Sequence, residues 1–101
     1  MKRVLDPVAP GELLEEEFLK PMRISHQELA KAIGVSLPLI RSIIAGQRAI
    51  TAEVDLRLCR FLGLSNGYWL RAQAAYDTEV AQERLSGVLE KNYPLAGRPA
   101  C

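Results

Sequence analysis

The 101-residue sequence is poor in the residues that many chemistries need. It has one histidine, His26, and two cysteines, Cys59 and Cys101, far apart and without CxxC spacing. That supply excludes a zinc site of spaced thiolates and a disulfide framework. Cys59 falls within an apolar helical pattern and is expected as a buried thiol, Cys101 as a free terminal one; both suit a reducing cytoplasm. No run approaches the roughly 18 apolar residues of a membrane span. The opening MKRVLDPVAPGE lacks the apolar stretch of a signal peptide. A phosphate loop, a catalytic pair and a metal-ligand cluster are all missing, so neither an enzyme nor a cofactor or metal binder is expected. Strand-like alternation and internal repeats are missing too, which leaves an all-α fold.

What is present is one domain's worth of core. The chain is 49% hydrophobic and 25% charged, which suits a soluble globular domain. Net charge is only +1, but it is unevenly placed. Residues 1–19 carry two basic and five acidic side chains, residues 20–60 seven and three, and residues 61–101 four and four. The positive excess therefore sits in the middle segment, where a surface facing nucleic acid would want it.

That segment contains SHQELAKAIGVSLPLIRSIIAG, from Ser25 to Gly46. Ser25 with Glu28 three residues on forms a capping box for a first helix. Leu29, Ala30 and Ile33 form its apolar stripe, and Gly34 ends it in the left-handed conformation that glycine enters without strain. Val35 is an apolar plug. Ser36 caps a second helix, Pro38 fits its first turn, and Gly46 stops it. At roughly 100° per residue, Leu39, Ile40, Ile43 and Ile44 share one arc of this second helix. Pro38, Arg41, Ser42 and Ala45 share the opposite arc, with Leu37 at its edge. A small polar arc with one arginine fits the major groove of DNA, where Arg41 suits guanine or phosphate.

Around this pair the chain divides into a lead-in over residues 1–9, a helical domain over 10–85 and a tail over 86–101 marked by Pro94, Gly97 and Pro99. The first helix is expected from Pro10 to Leu19, with Leu13, Leu14, Phe18 and Leu19 inward. Glu15, Glu16 and Glu17 point in different directions and are expected as a solvated face. Residues 20–24 read as a turn. Thr51 caps a fourth helix whose core side takes Val54, Leu56, Leu58, Cys59, Phe61 and Leu62, and Gly63 closes it. Ser65 is expected to cap a fifth helix from about Asn66 to Leu85 or beyond.

The order His26-Gln27-Glu28-Leu29-Ala30, Ile33-Gly34-Val35-Ser36 and Gly46-Gln47-Arg48-Ala49-Ile50-Thr51 resembles the Cro/CI-type helix-turn-helix. Pro10-Gly11-Glu12 with Leu14, Glu16, Glu17, Phe18 and Leu19, and Tyr68-Trp69-Leu70, Gln73 and Tyr76-Asp77, look like the opening and closing blocks of the HigA antitoxins. The resemblance spans about residues 8 to 82. It implies a five-helix, lambda repressor-like domain that binds operator DNA as a dimer, represses its own operon and neutralises a HigB-like toxin, a small ribosome-dependent mRNA endonuclease. The alternative is a stand-alone regulator of the same family without a toxin.

Carried over residue by residue, the resemblance places His26 where the family's phosphate-binding glutamine stands, with Gln27 as a substitute beside it. Ser36, Leu37, Pro38, Arg41 and Ser42 match positions that read bases or flanking phosphates. Leu37 and Pro38 replace the commoner polar side chains, which thins hydrogen-bond readout and leaves Arg41 as the directional contact; Leu37 touches a thymine methyl or packs against another helix. Gln47 and Arg48 match phosphate-holding positions in the following loop. Tyr68, Trp69, Ala72 and Tyr76 are candidates for a dimer contact along the fifth helix, although the spacing of the aromatics in an alanine-rich helix favours core packing for Trp69.

Overall fold

The computed structural model describes residues 8–91; the lead-in up to residue 7 and the tail from residue 92, Cys101 included, lie outside the described residues. Every regular element among the described residues is helical. Helix α1 is one continuous rod made of Pro10–Leu13, a wider π-helical stretch Leu14–Leu19, and Lys20–Met22. It is followed by α2 (His26–Ile33), α3 (Leu37–Ile44), α4 (Ala52–Leu62), α5 (Tyr68–Arg84) and a one-turn α6 (Ser86–Leu89).

The local signals act where the sequence puts them. Ser25 Oγ accepts the Glu28 N–H at 3.0 Å while the Glu28 carboxylate accepts the Ser25 N–H at 2.8 Å, so the box is reciprocal. Hydrogen bonds to the carboxyl from Ser25, its backbone N–H first and its side chain second, hold Glu28 below its ordinary range. Ser36 Oγ accepts from the Leu39 N–H and Thr51 Oγ1 from the Val54 N–H. Four helix ends close with one bond pattern: Ile24 N–H to the Leu19 carbonyl, Val35 to Ala30, Gln47 to Ser42 and Leu64 to Cys59. In each, the residue before the donor is left-handed; three times it is glycine (Gly34, Gly46, Gly63) and once it is Arg23, at φ 58°.

The core joins Leu14 and Leu19 of α1, Leu29, Ala30 and Ile33 of α2, Ile40 and Ile43 of α3, Val54, Leu58 and Cys59 of α4, and Trp69 of α5. Phe18 packs edge-on to Trp69, with ring centroids 5.2 Å apart, and Tyr68 closes the cluster at 5.0 Å from Trp69. Gly11 lies flush on α3: a Cβ there would run into the Ile43 carbonyl oxygen and sit 2.7 Å from Ile44 Cα. Glycine is thus required where α1 seats the helix expected to face DNA.

Four expectations are corrected. Residues 20–22 continue α1, because the π-helical stretch before Pro21 draws back the carbonyls that a proline ring would otherwise crowd. Leu56 and Phe61 are exposed, at 47% and 43%, and the inward side of α4 is Val54, Asp55, Leu58 and Cys59. Ser65 does not cap α5, and the stretch expected as tail begins with α6.

The start of α5 is capped from another helix. Gly67 stands at its N-terminal boundary in the left-handed region, and no local side chain caps the turn. Instead the buried Asp55 carboxylate of α4 accepts the Gly67 N–H at 2.7 Å, Trp69 at 2.8 Å and Leu70 at 3.3 Å, with the Cys59 thiol 3.5 Å away. The negative charge meets the positive end of α5 and satisfies donors that a helix start leaves open.

Candidate nucleic-acid interface

The outward arc of α3 carries exposed Pro38 and Arg41 and half-buried Ser42, with exposed Ser36 at the N-cap. Ser36 accepts the Leu39 N–H and so still has its hydroxyl proton to donate. Arg41 makes no ion pair among the described residues. Leu37 is half-buried and packed against the core, so its packing role is realised. Beside α3, Gln47 and Arg48 are exposed on the loop that leads to Thr51.

At the start of α2, His26 is half-buried and its Nε2 lies 2.9 Å from Glu15 Oε1 of α1. One ring nitrogen is therefore engaged inside the chain, and Nδ1 is the atom left for another partner. Gln27 is exposed next to it. The groove of about 510 Å³ at this corner is lined by Glu15, Lys20, Arg23, His26, Gln27 and Arg41, among others, and so links α1, α2 and α3. Lys20 lies 2.8 Å from Glu16, whose carboxylate raises the lysine's pKa.

A helix-turn-helix family model matches residues 16–69, more than half of the chain. The chain belongs to the Cro/CI-type helix-turn-helix family, in its HigA-like branch. Virulence-associated protein I of Dichelobacter nodosus is 45% identical over 82 residues, covering 81% of this chain and 76% of the relative. Antitoxin HigA-1 of Vibrio cholerae is 41% identical over 71 residues, covering 70% and 67%. The solved antitoxin HigA of Pseudomonas aeruginosa, with the higBA promoter, superposes with a TM-score of 0.80 at 34% identity, covering 88% of this chain and 98% of that one.

Within this HigA-like fold, two side chains that the sequence did not mark as functional hold the candidate interface in shape. Gln73 of α5 accepts the Ile50 N–H at 2.7 Å with its carbonyl oxygen and donates to the Ile50 carbonyl at 3.0 Å with its amide nitrogen. That two-pronged bond pins the end of the loop bearing Gln47 and Arg48. Arg57 of α4 donates at 2.7 Å to the Ile33 carbonyl, one of the acceptors left open at the end of α2, while Glu53 holds its Nε at 3.2 Å. Gln73 stands in the closing block of the resemblance, and that was the available signal; nothing in the spacing tied it to Ile50.

The dimer candidates divide. Trp69 is fully buried within the single chain and offers no surface to a second copy, so its favoured core role is realised and its place among the dimer candidates is corrected. Tyr68 is half-buried in the aromatic cluster. Ala72 and Tyr76 are half-buried farther along α5, and Tyr76 and Asp77 border a smaller cavity of about 200 Å³ with Gln47, Arg48 and Gln73. No described helix is long and apolar enough to cross a membrane.

Proposed function

We propose that this chain is the antitoxin of a HigBA-type toxin–antitoxin pair. It binds operator DNA as a sequence-specific dimer, represses its own operon and neutralises a small mRNA-endonuclease toxin. The observation that carries the DNA reading is Arg41: exposed at the centre of the α3 outer arc, without a carboxylate partner among the described residues, and flanked by Ser36, Ser42, Gln47 and Arg48. Arg41 reads a base edge, while Gln27, Gln47 and Arg48 hold phosphates on either side of α3. His26, engaged by Glu15, contributes through Nδ1. The far half of α5, with Ala72 and Tyr76 at its root, meets a second copy, because one helix-turn-helix grips a half-site weakly and a two-fold dimer matches a palindrome. The toxin partner is supported by the likeness to antitoxins.

The test is binding to the chain's own upstream DNA and to random DNA over a range of salt. Arg41→Ala should cost roughly 1–3 kcal/mol on the operator and little on random DNA. Arg48→Ala should weaken both by similar factors and flatten the salt slope by about one unit. Equal losses for Arg41→Ala on both DNAs would make it a phosphate clamp, and wild-type protein that ignores its own promoter would sink the DNA reading. Sedimentation of the same samples should show a dimer at micromolar concentration. For the toxin arm, co-purification with the product of an adjoining toxin-sized reading frame is expected; if none adjoins, the stand-alone regulator takes its place.

A further inference from the structure

Four helix ends in this chain close with the same bond pattern, and three of them use glycine at the left-handed position. The fourth, at the end of α1, uses Arg23, with φ 58° and ψ 43°; it is the one non-glycine residue with positive φ among the described residues. A side chain is crowded there and a glycine is not. No fold requirement explains the arginine. Its side chain is exposed and makes no hydrogen bond or ion pair among the described residues. It lines the same groove as His26, Gln27 and Arg41.

Charge in that groove is distributed in a way that singles Arg23 out. Lys20 is matched by Glu16 at 2.8 Å, and His26 Nε2 lies in hydrogen-bonding reach of Glu15 at 2.9 Å. Arg23 and Arg41 are the two cations of the groove without a carboxylate partner among the described residues. One comes from the end of α1 and the other from the middle of α3, with the first turn of α2 between them. A phosphate entering that groove would therefore meet uncompensated positive charge from two helices.

We infer that Arg23 is an additional phosphate-holding residue, a clamp from outside the helix-turn-helix proper that grips the duplex backbone across the start of α2 from Arg41. This inference rests on the DNA-binding reading of the same surface. The contact positions the duplex without reading its sequence. It extends the gripped backbone beyond the segment that Gln27, Gln47 and Arg48 cover.

The left-handed backbone supplies an unusual test, because removing the side chain should help the fold and hurt the grip. Arg23→Gly should melt at or above the wild-type temperature. It should bind operator and random DNA more weakly by a similar factor, roughly tenfold near 0.1 M salt, and flatten the salt slope by about one unit, as expected when one phosphate contact is lost. Arg23→Gln, which keeps a polar side chain and the backbone demand but removes the charge, should lose the same slope, and Arg23→Lys should keep it. If Arg23→Gly and Arg23→Gln fold normally and keep the wild-type affinity and slope, Arg23 is no clamp. A loss on the operator alone would make it a base reader and also overturn the assignment. Should Arg23→Gly fail to fold, the Gln and Lys variants decide by slope. Wild-type protein without salt-dependent DNA binding would instead reject the functional reading itself, a result separable from any of these.

Discussion

Helices α2, α3 and α4 begin on hydroxyls of their own N-cap residues, Ser25, Ser36 and Thr51, whereas α5 begins on a carboxylate supplied by α4. The first three starts depend on atoms three residues apart; the fourth depends on atoms 12 to 15 residues apart. A local cap forms as soon as its turn forms, while a remote cap exists only once two helices have docked. The helix-turn-helix is therefore locally determined, and α5 owes its position to tertiary structure. Its second bond to the rest of the chain, from Gln73 to Ile50, is equally remote, at 23 residues. The Asp55 bonds cross from α4 to α5, and the Gln73 contact crosses from α5 to the end of the loop that carries Arg48.

The largest effect should follow from Asp55→Ala. Three backbone N–H groups lose their acceptor, all of them belonging to residues buried or half-buried in the α4–α5 joint. Each buried unpaired donor costs its desolvation penalty, about 1–3 kcal/mol, partly offset because a buried carboxylate is removed as well, so a loss on the order of 3 kcal/mol in urea unfolding is expected. Hydrogen exchange should show the first turns of α5 losing protection before α2 does. Equal loss of protection in α2 and α5 would mean that the two regions open as one unit, and the contrast between them would collapse.

Gln73→Ala comes next, at about 1–2 kcal/mol, since both backbone groups of the buried Ile50 lose a partner that water reaches only in part. Here the binding readout matters more than stability. The loop from Gly46 to Ile50 is released, so operator and random DNA should both bind more weakly, with a shallower salt slope as Arg48 loses its fixed place. A variant that is destabilised yet keeps the wild-type slope would show that the loop holds its shape without α5.

The contrast also explains what could be read from the chain. The capping box at Ser25 and Glu28, the caps at Ser36 and Thr51, the glycines at 34, 46 and 63, and the buried stripe of α3 are encoded within a few residues of where they act, and each stands where its pattern put it. No local pattern marks Asp55, because its partners lie beyond Gly63. Leu56 and Phe61 fit a helical apolar count but face outward, since a wheel has no knowledge of which neighbours arrive. Gly11 looked like part of a helix start; its reason is the approach of α3, more than 30 residues later. Pro21 marked a turn by the usual rule, and the widened stretch before it let the helix continue. At the candidate interface, exposure of Arg41 was legible from periodicity and the loop position of Gln47 and Arg48 from the resemblance, while the engagement of His26 by Glu15 was legible from neither.

The smallest effect should come from the local side of the comparison. Ser25→Ala removes the hydroxyl that accepts the Glu28 N–H and leaves the backbone N–H that Glu28 accepts from. One exposed cap bond lost from a helix start costs about 1 kcal/mol. The remote joint at Asp55 is untouched, so α5 should keep its exchange protection while the first turn of α2 frays. A pH series sharpens this. The Glu28 carboxyl is held below its ordinary range by its bonds to Ser25, the backbone one first. A depressed carboxyl adds stability that is fully present above the unfolded-state pKa and is lost as pH falls through the lowered folded value. Wild-type protein should therefore exceed Glu28→Gln in stability at neutral pH, and the gap should close in acid, below the ordinary carboxyl range. A gap that stays constant down to pH 2 would mean that Glu28 acts through packing. A Ser25→Ala variant that loses α5 protection as fully as Asp55→Ala would show that the start of α2 is tied to the distant joint, and the division between locally and remotely capped helices would have to be abandoned.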